Sequence, residues 1–326
     1  MNIELLTRAE AQFKETLLTA RGNFEERRRQ ALDQAPQIGF PAVSQEAQQV
    51  PPALTDAPVS ASTYRQIHVE ATSRELPRQR VTQAHIEEAR IYVQELFDVD
   101  LSQVRVEVLP NSEWDDARAE ASTFKSGTNS HLVFIPEICP CSPSELLVHE
   151  LGHTGHYTAQ RQTPEYMFYW ANPLTVEFPA HYAQYNFILD KLSRLDFMQA
   201  MLQVVTSTYA LAILKSGSLH DLDKFWMSRP AAAIREAWPQ HSLLHQFKLF
   251  QENRAYFFEE CRRGVSQMLA LTLVDRHEEM RKFIRLDRFD RAIAPKLEEA
   301  FPEDNVTKGF PGINEQVAKL LARFSR

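Results

Sequence analysis

Nine consecutive residues, Val148-His149-Glu150-Leu151-Gly152-His153-Thr154-Gly155-His156, hold three histidines and one carboxylate. Residues four apart on a helix share a face, so His149 and His153 can each aim a ring nitrogen at one point about 2 Å away, the usual Zn–N distance. Glu150 stands one step round the helix from His149. Its carboxylate then falls beside a bound metal's open position, where a base must be to deprotonate a water. With eleven histidines and 43 acidic residues in 326, the pattern His-Glu-x-x-His is expected by chance ~0.05 times or less.

A catalytic zinc takes three protein ligands and leaves a fourth position to water. His156 follows His153 by three residues and can share its face. A third donor on the same straight helix would have to reach back from the next turn, which makes tetrahedral closure awkward. Glu177 is the better donor. Twenty-four residues separate it from His153, enough for one helix to finish near Thr163-Pro164 and another to begin after Asn172-Pro173. Pro179 lacks an amide proton, so the second helix is expected to start or kink at Glu177. His181, four residues on, is either a partner behind the metal or a competing ligand.

HELGH at 149–153 with a later glutamate in Glu177-Phe178-Pro179 resembles the thimet-oligopeptidase-type zinc metallopeptidases of the gluzincin group. The resemblance spans residues 144 to about 185, and Ala180 stands where that family has a small hydroxyl residue. It implies a zincin-like fold and one zinc per chain on His149, His153 and Glu177. It also implies peptide-bond hydrolysis by a zinc-activated water, with Glu150 as general base. The metzincin pattern is not met, because His156 and Ala159 occupy the places of its glycine and third histidine.

Such a site needs a helix under the motif, and Ser142-Pro143-Ser144-Glu145 supplies its start: a capping serine, a proline at the first helical position and a glutamate three residues after the serine. Leu146, Leu147 and Leu151 provide packing, and Gly152 admits a close neighbouring backbone. Upstream, a helix is expected over 82–96. Val104, Val106 and Val108 alternate with Arg105 and Glu107 as a half-buried strand. Residues 121–136 read as two extended pieces about a turn at 127–129, the second, 131–135, offering a sheet edge to an extended peptide. Beyond residue 142 almost everything reads helical, including 187–214, 242–274 and 313–324. The expected architecture is an α-rich α+β fold with a small antiparallel sheet: an N-terminal amphipathic helix (1–35), a Pro-rich linker or strap (36–62) and a catalytic domain (63–326) whose helical subdomain begins near 215.

A net charge of −7 gives no cationic field to recruit nucleic acid. Arg27-Arg28-Arg29 beside Glu25 and Glu26 reads as a solvated helix face. Three cysteines cannot frame a disulfide scaffold, and Cys139-Pro140-Cys141 makes a poor chelate, so both are expected to be structural. No signal-length apolar run opens the chain and no 18-residue apolar stretch is seen, which predicts a soluble, cytoplasmic type of protein. Donors for an oxyanion are sought among Tyr166, Tyr169, His241, His245 and Tyr256. The expected partner is a peptide or protein substrate. Two rivals stand. A di-iron bundle needs a second Glu-x-x-His, and only His153 has a glutamate three residues before it. A non-catalytic helical interaction protein would carry only a structural or vestigial metal site.

Overall fold

Ser142 starts the motif helix as its sequence requires. In the computed structural model, which describes residues 2–36, 38–39, 41, 49–114 and 121–325, Ser142 Oγ accepts from the Glu145 amide at 3.4 Å and Pro143 fills the first position of the helix Pro143–Gln160. A proline loses no hydrogen bond there, because the first amides of a helix have no internal partner. Only His149 in this helix escapes full burial. It is a core helix, wrapped on every side.

The chain parts into two units, each assembled from separated stretches. The first comprises Met1–Ala47, Leu76–Asn172 and His277–Arg291; the second comprises Gln48–Glu75, Pro173–Arg276 and Ala292–Arg326.

In the first unit the helix Gln83–Phe97 packs along the motif helix, and His277–Leu286 packs against both. Arg281 donates to the carbonyls of Glu95 at 2.6 Å and Leu96 at 2.9 Å, satisfying the open end of Gln83–Phe97. The tight approach of the helices is at Gly155, where an added Cβ would lie 2.7 Å from Phe97 Cδ2.

Three strands, β2 (Arg105–Leu109), β3 (Ser122–Phe124) and β4 (Leu132–Pro136), form a sheet in the order β2-β4-β3. The expected antiparallel sheet is in fact mixed. β3 and β4 are a hairpin with Thr123 opposite Val133, whereas β2 runs parallel to β4 with Arg105 opposite Leu132. The strand expected to offer an edge, β4, is central and buried along its whole length. Its unbroken apolar run Leu132-Val133-Phe134-Ile135 is what a strand covered on both faces needs. The edges are β2 and β3. A separate antiparallel pair joins β1 (Gln79–Arg80) to β5 (Ile138–Cys139), with Cys139 buried and its Sγ 3.7 Å from the Pro136 carbonyl.

The N-terminal stretch expected as one helix is two, Ile3–Thr19 and Phe24–Gln34. Gly22 at φ +113° turns the chain, and Asn23 restarts it through a reciprocal cap with Glu26. Phe24 stacks on Trp114 at 4.5 Å between centroids, and Phe13 and Phe24 both meet Phe124. The arm is thereby built into the sheet's hydrophobic cluster. Within the Pro-rich strap, residues 37, 40 and 42–48 lie outside the described residues.

The second unit is helical. Its central member, Arg194–Ser216, packs against Ala61–Thr72 and Arg254–Thr272. The run expected as one helix over 187–214 is broken before Arg194, where Ser193 and Asp196 form a capping box and begin a new one. Arg194–Ser216 is long and apolar enough to cross a membrane by length and composition alone. Its burial against two amphipathic neighbours accounts for that composition.

Candidate metal centre

His149 and His153 sit one turn apart on the motif helix, their ring centroids separated by 5.0 Å. Glu177 is the first residue of the helix Glu177–Lys191. Pro179 therefore lies in the first turn, where no internal amide bond is lost, and the helix begins where the proline predicts. One ligand atom from each of His149, His153 and Glu177 lies within 4.8 Å of the other two. Donors held at ~2.1 Å on a tetrahedral zinc stand about 3.4 Å apart. Two imidazoles with one carboxylate are a known catalytic zinc donor set. The residues fit the ion. Glu177 keeps a quarter of its side chain exposed, which leaves the donors reachable by water.

Glu150 is 7% exposed. Thr123 Oγ1 lies 2.6 Å from Glu150 Oε2 and 3.1 Å from the Glu150 carbonyl. A hydroxyl carries one proton, and the shorter, charge-assisted bond to the carboxylate claims it. The Glu150 carboxylate is thus held from the edge strand β3. Nothing in the sequence marks Thr123, because a threonine in a three-residue strand acquires this role only when strand and helix pack.

His156 is not one of the converging donors. Its Nε2 lies 2.9 Å from Asp287 Oδ2, and both side chains are fully buried. Gln160, one turn on, donates to the Asp287 carbonyl. Asp287 thus ties the second half of the motif helix to the end of His277–Leu286, a residue 131 positions from His156 that sequence spacing cannot reveal. His181 sits behind the third donor, its Nε2 3.9 Å from Glu177 Oε2 and its Nδ1 3.0 Å from Gln184 Oε1.

Of the oxyanion candidates, Tyr166 packs in the cluster of Leu6 and Trp170, and Tyr169 lies under the Arg161 guanidinium at 4.9 Å. Tyr169 is a core residue, and Tyr166 is partly buried against the same cluster. His241 and His245 are exposed. Tyr256 is half-buried, and burial first, then Glu260, pushes its phenol up. Arg263, whose burial opposes its charge, is held up by Glu260, Glu177 and Glu259. Glu177, Arg263 and Tyr256 therefore share one electrostatic neighbourhood. Arg263 carries no motif, and nothing along the chain points to it.

Among the described residues His149, His153 and Glu177 are the one group of three or more potential ligands that converges, and neither Cys139 nor Cys141 belongs to it. Compared with family models, curated proteins and solved structures, the chain finds no match.

Proposed function

We propose that the chain is a zinc-dependent metallopeptidase of the zincin type, with one zinc on His149, His153 and Glu177 and with Glu150 as general base. The observation that carries this reading is the approach of those three ligand atoms to within 4.8 Å, with a hydrogen-bonded carboxylate at the neighbouring position on the same helix. A purely structural site has no use for that base. When bound, zinc supplies Lewis acidity, acidifying a water and polarising a carbonyl.

Glu150 takes the proton from the attacking water and returns it to the amine as the C–N bond breaks, so it ends the cycle as it began. Thr123 keeps the carboxylate turned toward that task. Tyr256, a phenol protonated at neutral pH, and Arg263 beside it supply the donors for the developing oxyanion. Among the described residues β3 pairs with β4 on one side and with no strand on the other. An extended peptide adds to such an edge by main-chain hydrogen bonds.

The test is elemental analysis of the zinc-reconstituted protein, followed by incubation of wild type and Glu150→Gln with a peptide library, with and without chelator. Both proteins are expected to hold one zinc per chain. Cleavage is expected in wild type alone, is lost on chelation, and drops at least ~100-fold in Glu150→Gln. Cleavage that survives the substitution, or zinc well below one per chain, overturns the proposal.

A further inference from the structure

Lys125 directly follows the edge strand β3. Its ammonium lies 5.6 Å from the centroid of the Tyr157 ring and 5.7 Å from that of Trp170, within cation–π range. The same side chain lines a pocket of about 320 Å³ in the first unit, whose apolar walls include Leu6, Phe13, Ile38 and Phe124. That volume is at the low end of the ~300–1,000 Å³ typical of small-ligand sites, so it suits one side chain rather than a folded segment.

The pocket is short of negative charge. Glu10 also lines it, but both of its oxygens are taken by Arg161, at 2.7 and 2.8 Å. Among the described residues no carboxylate comes within ion-pair distance of Lys125. Buried His131 registers the imbalance: after burial itself, Arg161, Lys125 and Lys14 all push its pKa down. Burial also pulls the Lys125 ammonium down to about 8. Arg161 disfavours the Lys125 charge, and Glu10, already engaged by Arg161, opposes that only in part. A desolvated cation so placed is stabilised by an incoming anion, and apolar walls select an anion carried on an apolar stem.

The pocket also adjoins the chemistry. Thr123 lines it and gives its proton to Glu150, so an occupant sits one residue's breadth from the proposed base.

We propose that this pocket is a substrate subsite for an acidic side chain, whose methylenes lie against Leu6, Phe13 and Phe124 and whose carboxylate pairs with Lys125. The proposal rests on the peptidase reading, and binding can be measured apart from turnover. The probes are acetylated, amidated octapeptides of alanine and phenylalanine, with a single glutamate walked through each position and a matched set carrying glutamine. Blocked termini leave the side chain as the only carboxylate.

Titrated into zinc-loaded Glu150→Gln full-length protein, one glutamate position should bind at least tenfold more tightly than its glutamine counterpart. Adding Lys125→Met should bring that ratio to about one, and Lys125→Arg should retain most of it. Circular dichroism of each variant certifies the fold, and the arginine variant keeps the test decisive if the methionine variant unfolds. A ratio below twofold at every position, or one that persists in Lys125→Met, overturns the subsite. Free glutarate that binds as tightly as the best peptide also overturns it, by showing a small-acid site instead. Cleavage by wild type is scored separately. A Lys125-dependent preference with no cleavage anywhere sinks the peptidase reading, and with it the word substrate, while leaving the carboxylate pocket established.

Discussion

Gly155→Ala sets two effects of known size against each other on the helix that carries His149 and His153. Alanine is favoured over glycine in a helix interior by ~1 kcal/mol. The new Cβ, however, would stand 2.7 Å from Phe97 Cδ2 and 3.1 Å from Val93 Cγ1. Carbon atoms make their best contact at about 3.5–4.0 Å, so the nearer overlap approaches an ångström. Neither neighbour has room to retreat, since Phe97 and Val93 are both 0% exposed. Overpacking of this kind costs ~1–3 kcal/mol, which offsets or outweighs the gain in helix propensity and leaves a net loss of up to about 2 kcal/mol. Urea denaturation should show a lower midpoint with an unchanged slope. Zinc retention against a chelator should weaken too, because the displaced turn lies two residues from His153. Phe97→Leu combined with Gly155→Ala should recover part of the loss, giving a coupling energy of at least ~0.5 kcal/mol. A Gly155→Ala protein more stable than wild type by the full helix-propensity gain would rule out this clash, because it would mean the two helices are not in contact at this point.

Thr123→Val removes the proton held by Glu150; a hydrogen bond to a charged group is worth ~1.5–3 kcal/mol, so peptide cleavage should slow about tenfold or more with zinc content unchanged. Thr123→Ser should keep most of the rate, and wild-type kinetics in the valine variant would discount the contact. Asp287→Ala removes the carboxylate 2.9 Å from a fully buried His156 and should cost ~1.5–3 kcal/mol in chemical denaturation; a loss under ~1 kcal/mol would show that the tie is not structural. Lys125 has its pKa lowered from 10.5 to about 8 in the folded state, so its charged form disfavours folding. That penalty is complete below about pH 8 and is relieved as pH rises toward 10.5. It is at most ~3 kcal/mol, less for partial solvent screening. Stability of wild type relative to Lys125→Met should therefore improve across that window, and a pH-independent difference would contradict the burial.

The motif helix is legible along the chain because everything it needs is local: a cap at Ser142, a proline at Pro143 and ligands one turn apart. Glu177 is legible for a related reason, since Pro179 restricts where its helix can begin. The sheet is harder to read. The hairpin of β3 and β4 follows from the turn between them, but the parallel pairing of β2 with β4 joins strands that are not consecutive in the chain, and no short-range pattern encodes that. For the same reason the apolar run 131–135 suggests an edge, although its lack of alternation belongs to a centre. The N-terminal arm shows its amphipathic face in the sequence, yet that same continuous pattern hides the break at Gly22 and Asn23 that folds it in two.

By itself the sequence determined which side chains are candidates to hold a metal and to take a proton, since periodicity and capping act over a few residues and leave their mark in spacing. Tertiary structure alone decided what steadies and surrounds them: Thr123 on Glu150, Asp287 on His156, Phe97 against Gly155, and Lys125 among rings with Glu10 already engaged by Arg161. These contacts join residues tens to more than a hundred positions apart. Chain connectivity places no constraint on such pairs until the core has packed, so no pattern along the chain announces them.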